Sequence, residues 1–276
     1  MEKKKNKFLS NKGFMIFAVL ALLIVLASIC APLICHGVDP TEGELADAIM
    51  APSKDHPFGT DKMGRDIFAR VIYGSRTSLV STFSLVLTIF VIGTFLGILA
   101  GYFGGWVDAV IMRIADMMIA FPGLVLAIAV AGMLGASTKN AIIAISVVSW
   151  PKYARLARSL VMKIRHTDFV AAAQVTGSRT PYMLWKYMLP NTITTLVITA
   201  ATDIGSMMME LAALSFLGFG AQPPTPEWGS MLNEGRNFMQ SAPWMMIYPG
   251  LAIFITVVIF NMLGDNLRDI LDPKTE

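Results

Sequence analysis

Two acids stand where lipid would be expected. Asp203 and Glu210 interrupt the apolar run that follows Pro190, and their spacing of seven puts them on nearly one helix face. Ionisable groups at such depth are costly, so they mark solute paths or polar contacts between helices. Asp203, Met207 and Glu210 are therefore candidates for a translocation path. For Asp203, a hydrogen bond to a neighbouring helix or companion subunit is an equal reading. Glu210, nearer the outer end, favours the path. The 19 methionines raise soft-metal chemistry, since thioethers hold copper(I). Methionine is also an adaptable filler of sliding helix interfaces, and packing explains it better.

Other chemistry finds little support. Cys30, Cys35 and His36 fit no metal-ligand spacing, and the cysteines read as lipid- or helix-facing. Asp61 and Asp66 read as helix-start and surface acids rather than ligands, so no metal site is expected. The chain has no G-x-x-x-x-G-K-[ST] loop to cradle phosphate, and neither H-E-x-x-H nor G-x-S-x-G for hydrolysis. His36, His56 and His166 all fall outside the apolar runs. The expectation is a chain that is not an enzyme and holds no cofactor of its own.

The elements that carry the two acids follow from composition. The 276 residues are 55% hydrophobic and 15% charged, against about 25% charged in a soluble domain. The bilayer is the solvent that suits this chain. A net charge of +3, with the basic residues beside apolar runs, speaks against a nucleic-acid partner. Residues 14–35 exceed the usual signal-peptide core of about 7–15 residues and read as a retained first span. Further spans cover 79–103, the run after Asp116 through "MMIAFPGLVLAIAVAGMLG", a helix from Asn140 that continues through "YARLARSL" as it leaves the membrane, the run after Pro190, and 244–263. An all-α integral membrane bundle of six transmembrane helices is expected.

Six spans put both termini on one side. Lys3, Lys4, Lys5, Lys7 and Lys12 flank the first span, and Lys152, Arg155, Arg158, Lys163, Arg165, Arg179 and Lys186 follow the fourth. Positive charge of this kind stays cytoplasmic. Residues 1–78 form a basic tail, a span and an outer loop with an interfacial helix; residues 79–276 form a core of five spans. In the loop, Thr60 reads as the cap of a helix whose Met63, Ile67, Phe68, Val71 and Ile72 share a face. Asp116 is expected to pair with Arg113; Pro122 and Pro151 read either as kinks that help hinge motion or as tolerated passengers. Trp228, in "GAQPPTPEWGSML", suits the interfacial belt, and one reading of the segment is a re-entrant or surface-lying plug that seals the bundle.

Between the fourth and fifth spans lies a compact polar-flanked knob, residues 167–190. Thr167 and Asp168 suit a helix start, and Gly177 a left-handed stop. Thr180 and Pro181 restart a second helix, which presents Tyr182, Met183, Trp185, Tyr187 and Met188 before Pro190 closes it. Two helices this short are unstable alone in water, so the aromatics need cover from the chain's own spans or from a partner.

Ala172–Ala173, Gly177 and Leu189–Pro190 resemble the cytoplasmic "EAA" signature of ATP-binding-cassette importer permeases. Ala171 stands in place of the signature's glutamate and Tyr187 in place of its isoleucine. "FGTDKMGRDIFARVIYGSRTSL", "SFLGFGAQPPTPEWGSMLNEGR" and "FNMLGDNLRDILDP" are together similar to the second permease subunit of dipeptide, oligopeptide and nickel importers. The resemblance implies that Ala171, Ala172, Ala173, Gly177, Tyr187, Leu189 and Pro190 belong to a coupling helix docked on a separate ATPase. It also implies a homologous second permease, two cytoplasmic ATPases that handle ATP-Mg, an extracytoplasmic binding protein that the "GAQPPTPEWGSML" loop would help to receive, and alternating access in the inner membrane. "DIGSMMM" leans towards a nickel chelate over a peptide as solute. A stand-alone secondary transporter is the rival reading; Asp203 would serve it, but the knob would have no purpose there.

Overall fold

In the computed structural model, which describes residues 11–271, the long apolar runs are all helical, and no strand occurs among the described residues. The flank of Lys3, Lys4, Lys5 and Lys7 lies outside them. Asn11 opens helix α1 (Lys12–Ile29) by accepting the Phe14 N–H at 3.0 Å. A short turn, α2 (Ala31–Ile34), follows. Helix α3 (Ile67–Phe103) starts where Asp66 accepts the Ala69 N–H at 2.7 Å. Thr60 is not its cap. The Thr60 hydroxyl instead accepts the Met50 N–H at 2.8 Å and donates to the Asp47 carbonyl, pinning the loop that precedes α3. The expected interfacial helix and second span are thus one rod of 37 residues. At 1.5 Å per residue it is about 55 Å long, well beyond the roughly 30 Å hydrocarbon core.

Helices α4 (Gly105–Ile119) and α5 (Gly123–Leu134) meet at 94°. Pro122 stands at the break, where its ring and missing N–H stop the ladder. Helix α6 (Thr138–Arg165) is capped by Ser137 and contains Pro151. Helix α7 (Asp168–Val175) is the first half of the knob. Helix α8 (Thr180–Phe216) runs through Pro190 rather than ending there. The reason is a π-turn at Leu184–Met188: the Leu189 N–H reaches back to Leu184 O, so the ladder slips by one just before the residue with no N–H to give. Helices α9 (Trp228–Gly235) and α10 (Trp244–Leu271) complete the chain.

Among the described residues, four helices, α1, α3, α8 and α10, are long and apolar enough to cross a bilayer, or five spans if the bent pair α4–α5 counts as one. Helix α6, the expected fourth span, falls short by composition because its second half carries Lys152, Arg155, Arg158, Lys163 and Arg165.

The largest helix contact joins α3 to α6, and glycine makes it possible. Gly93, Gly97 and Gly101 recur every fourth residue along α3. A Cβ on Gly93 would sit 2.5 Å from Tyr153 Cβ and 2.7 Å from Trp150 O; one on Gly101 would sit 2.8 Å from Val161 Cβ. Small residues at this spacing let two backbones touch, and dispersion then replaces the hydrophobic drive that lipid does not supply. Ala154, Ala157 and Val161 offer the matching surface and are fully buried.

Candidate functional site

Asp203 is 6% exposed on α8, and α6 supplies its partners. Lys152 Nζ donates to its two oxygens at 2.6 and 2.8 Å, and Tyr153 Oη donates at 3.0 Å. Of the two readings of Asp203, the bond to a neighbouring helix is present. Lys152 is not a mere flanking cation, although its side chain remains 58% exposed. It borders two cavities. One, of about 480 Å³, lies between the α4–α5 break, α6 and α8, and is bounded by Phe121, Ser149, Lys152, Ser206, Met207 and Glu210. The other, of about 580 Å³, is bounded by Lys152, Thr195, Thr199, Thr202, Asp203 and Arg268. Met207 is buried and lines the first of these cavities. Glu210 is half-buried, and no hydrogen bond or ion pair joins it to another described residue. Two further acids tie α4 to α6. Asp116 pairs with Arg155, not with the expected Arg113 on its own helix, and Asp108 pairs with Arg158.

The knob has a buried side and a bare one. Val170 and Ala173 of α7 join Val161, Met183, Met188 and Leu196 in one core cluster. Ala173 is therefore an anchor, whereas Ala171, Ala172, Gly177 and Pro190 are exposed, and Tyr187 and Leu189 half-buried. Trp185 is 75% and Val175 88% exposed, with Phe169 and Tyr182 about half exposed beside them. Among the described residues, Trp185 finds no cover and Phe169 and Tyr182 only partial cover. Tyr187 leans on Phe169 and Tyr182, with ring centroids 6.2 and 6.0 Å apart. Helix α7 ends in a Schellman motif: Gly177, at φ +82°, donates to Gln174 O at 3.0 Å, and Ser178 donates to Ala173 O at 3.1 Å. Neither Thr167 nor Thr180 makes a side-chain cap; Arg179 holds the N-cap position of α8.

A family profile described as "Binding-protein-dependent transport system inner membrane component" matches residues 93–276. The chain belongs to this family. It is 44% identical to the dipeptide transport system permease protein DppC of Alkalihalophilus pseudofirmus over 264 residues, covering 96% of this chain and 86% of that protein. The DppC of Haemophilus influenzae is 42% identical over 273 residues, 97% and 92% of the two chains. The glutathione transport system permease protein GsiD of Pectobacterium atrosepticum is 46% identical over 223 residues, 81% and 74%. A chain from an inward-facing structure of the MetNI methionine ABC transporter overlays with a TM-score of 0.59 at 19% identity, over 74% of this chain and 97% of that one. This last likeness concerns the fold. The chain is accordingly a multi-pass inner-membrane component of an ABC importer, a permease and not its ATPase.

On the opposite side from the knob, this permease carries a buried charge network that sequence reading missed. Asp61 is 3% exposed, not at the surface. It accepts the N–H groups of Met63 and Arg65 at 2.8 and 3.1 Å and Arg65 Nε at 2.6 Å. Glu234 of α9 receives Arg65 and, at 3.1 Å, Arg70. Two guanidiniums and two carboxylates neutralise one another, which is what permits such burial. They staple the segment before α3, and the first turn of α3, to α9. Asp66 caps α3 and also meets His56 Nδ1 at 2.9 Å.

Trp228 is not in an interfacial belt either. It is 3% exposed and donates from Nε1 to Val71 O at 2.9 Å, close to Gly74 of α3. Helix α9 packs among α3, α8 and α10. Glu227 caps it, accepting the Gly229 and Ser230 N–H groups at 2.9 and 2.8 Å. Burial pushes the Glu227 carboxyl up, and these hydrogen bonds offset part of the rise. Met183, Met188, Met207, Met208 and Met231 are all buried, in keeping with methionine as packing material.

Proposed function

We propose that this chain is one of two homologous permease subunits of an ABC importer for di- or oligopeptides. Solute delivered by an extracytoplasmic binding protein moves inward by alternating access, driven by two cytoplasmic ATPases that bind ATP-Mg. The observation that carries the coupling reading is the two-sided knob. Val170 and Ala173 fasten it to the bundle, while Phe169, Val175, Tyr182 and Trp185 offer an apolar face that the other described residues leave 46–88% exposed. A cytoplasmic subunit docked there would push on α6 and α8 directly, because the knob's buried residues share a cluster with Val161 and Leu196. Ala171, where the family signature has glutamate, leaves this docking apolar.

A six-span arrangement with both termini in the cytoplasm completes the reading. Helix α6 serves as a span despite its charges, since Lys152, Arg155 and Arg158 each meet an acid of α8 or α4. The similarity to dipeptide and glutathione permeases supports a peptide-type solute over the nickel chelate that "DIGSMMM" suggested. The buried methionines add nothing for nickel.

The test is reconstitution. Purified with its companion permease and ATPases, and supplied with binding protein and ATP, the complex should concentrate labelled dipeptide in vesicles. The chain alone should concentrate none. Uphill uptake by the chain alone would establish the secondary transporter instead.

A further inference from the structure

Lys152 and Glu210 line one cavity, carry opposite charges, and are not joined to each other by any ion pair. Lys152 spends its hydrogen bonds on Asp203; Glu210 has no partner among the described residues. An intramembrane carboxylate left bare is a functional group by default. The cavity's volume of about 480 Å³ lies within the range of roughly 300–1,000 Å³ that small molecules occupy.

We propose that this cavity is a transit site for a zwitterionic, dipeptide-sized solute: Lys152 releases Asp203 to take the solute carboxylate, and Glu210 takes its ammonium group. The inference rests on the peptide-importer reading above and assigns the residues that would handle such a solute. Asp203 and Glu210 are separated by seven residues of α8, about 10 Å of rise, and Lys152 sits at the Asp203 level. An extended dipeptide spans about 7 Å. The flexible lysine stem closes the remainder.

Lys152 is free to make this exchange. Its side chain is 58% exposed, and Asp203 keeps the Tyr153 hydroxyl when the ammonium departs. Asp203 thus acts as a resident stand-in for the solute carboxylate, holding Lys152 in place between cycles. The walls suit variable side chains: Met207, Ile145, Val148 and Phe121 are apolar, and methionine re-packs readily around different shapes. Because Lys152 also borders the second cavity, a carboxylate held by it stands beside Thr199, Thr202 and Arg268, which offer the next donors.

The competing account makes Lys152 a plain counter-ion for Asp203 and gives Glu210 to the companion permease. The double variant Lys152→Met with Asp203→Asn separates the two, since it removes the pair without leaving a buried charge. Measured in vesicles with the complete complex and labelled dialanine, it should co-purify with its ATPases yet import at least tenfold more slowly than wild type. Import within twofold of wild type would overturn the proposal. Should that variant fail to assemble, Glu210→Gln decides: import should fall at least fivefold, and Glu210→Asp should recover more than half. Unchanged import in Glu210→Gln, or loss of the companion permease from its preparations, would overturn the assignment. If the wild-type complex itself imports no dipeptide, the peptide-importer reading fails and the site falls with it; variants as active as wild type remove the site alone.

Discussion

Gly177 offers the sharpest test of the knob, because backbone geometry and side-chain bulk separate there. No atom lies within 4 Å of the position a Cβ would take, yet φ is +82°. Gly177→Ala therefore meets only the left-handed penalty, about 1–2 kcal/mol. Gly177→Asn meets less, since asparagine tolerates that region. Gly177→Pro demands φ near −65° and removes the donor to Gln174 O, a bond worth about 0.5–1.5 kcal/mol. It also pushes Thr176 out of its φ −75°, ψ 2° conformation. The Schellman closure cannot form, so α7 and the exposed Phe169–Tyr182 face lose their fixed relation. Uptake by the reconstituted complex should rank wild type, then Asn, then Ala at a several-fold loss, with Pro abolishing it. Membrane insertion, followed by protease protection, should survive in all. Undiminished uptake with Pro would rule out coupling through the knob. Asn as damaging as Pro would show that bulk at the surface, not the turn, is what matters.

Two further outcomes follow from packing and charge. Gly97→Leu places a side chain where even a Cβ would lie 2.7 Å from Ala157 Cβ, so α3 and α6 must part; a loss of about 1–3 kcal/mol should show as a lowered thermal melt in detergent, and an unchanged melt would mean the helices do not touch there. Glu227 is raised above its ordinary 4.5 by burial, so the folded state keeps this proton to higher pH than the unfolded chain. Its contribution is fully present below about 4.5 and is lost as pH rises through the folded value. The stability of wild type relative to Glu227→Gln should therefore decline as pH is raised from 4.5, and a difference that grows with pH would contradict the burial.

The sequence alone determined the solvent, the helices and the address of the knob. Long uncharged runs have no stable home but lipid, and helix is the form that satisfies their backbone without outside partners. A glycine before a polar restart can do little except end a helix. Gly177 was legible for that reason, and so was the isolation of Asp203 and Glu210 in apolar surroundings. What the tertiary structure decided is which distant groups meet. Lys152 read as a flanking cation until α6 brought it to Asp203, 51 residues away; Asp61 read as a surface acid until Glu234 and two arginines enclosed it. Pro190 read as a stop, but a π-turn let the helix pass. Gly93, Gly97 and Gly101 acquire a meaning only once α6 is seen packed against them. Local propensity depends on neighbours along the chain, whereas burial, pairing and close approach depend on neighbours across it, and only folding chooses those.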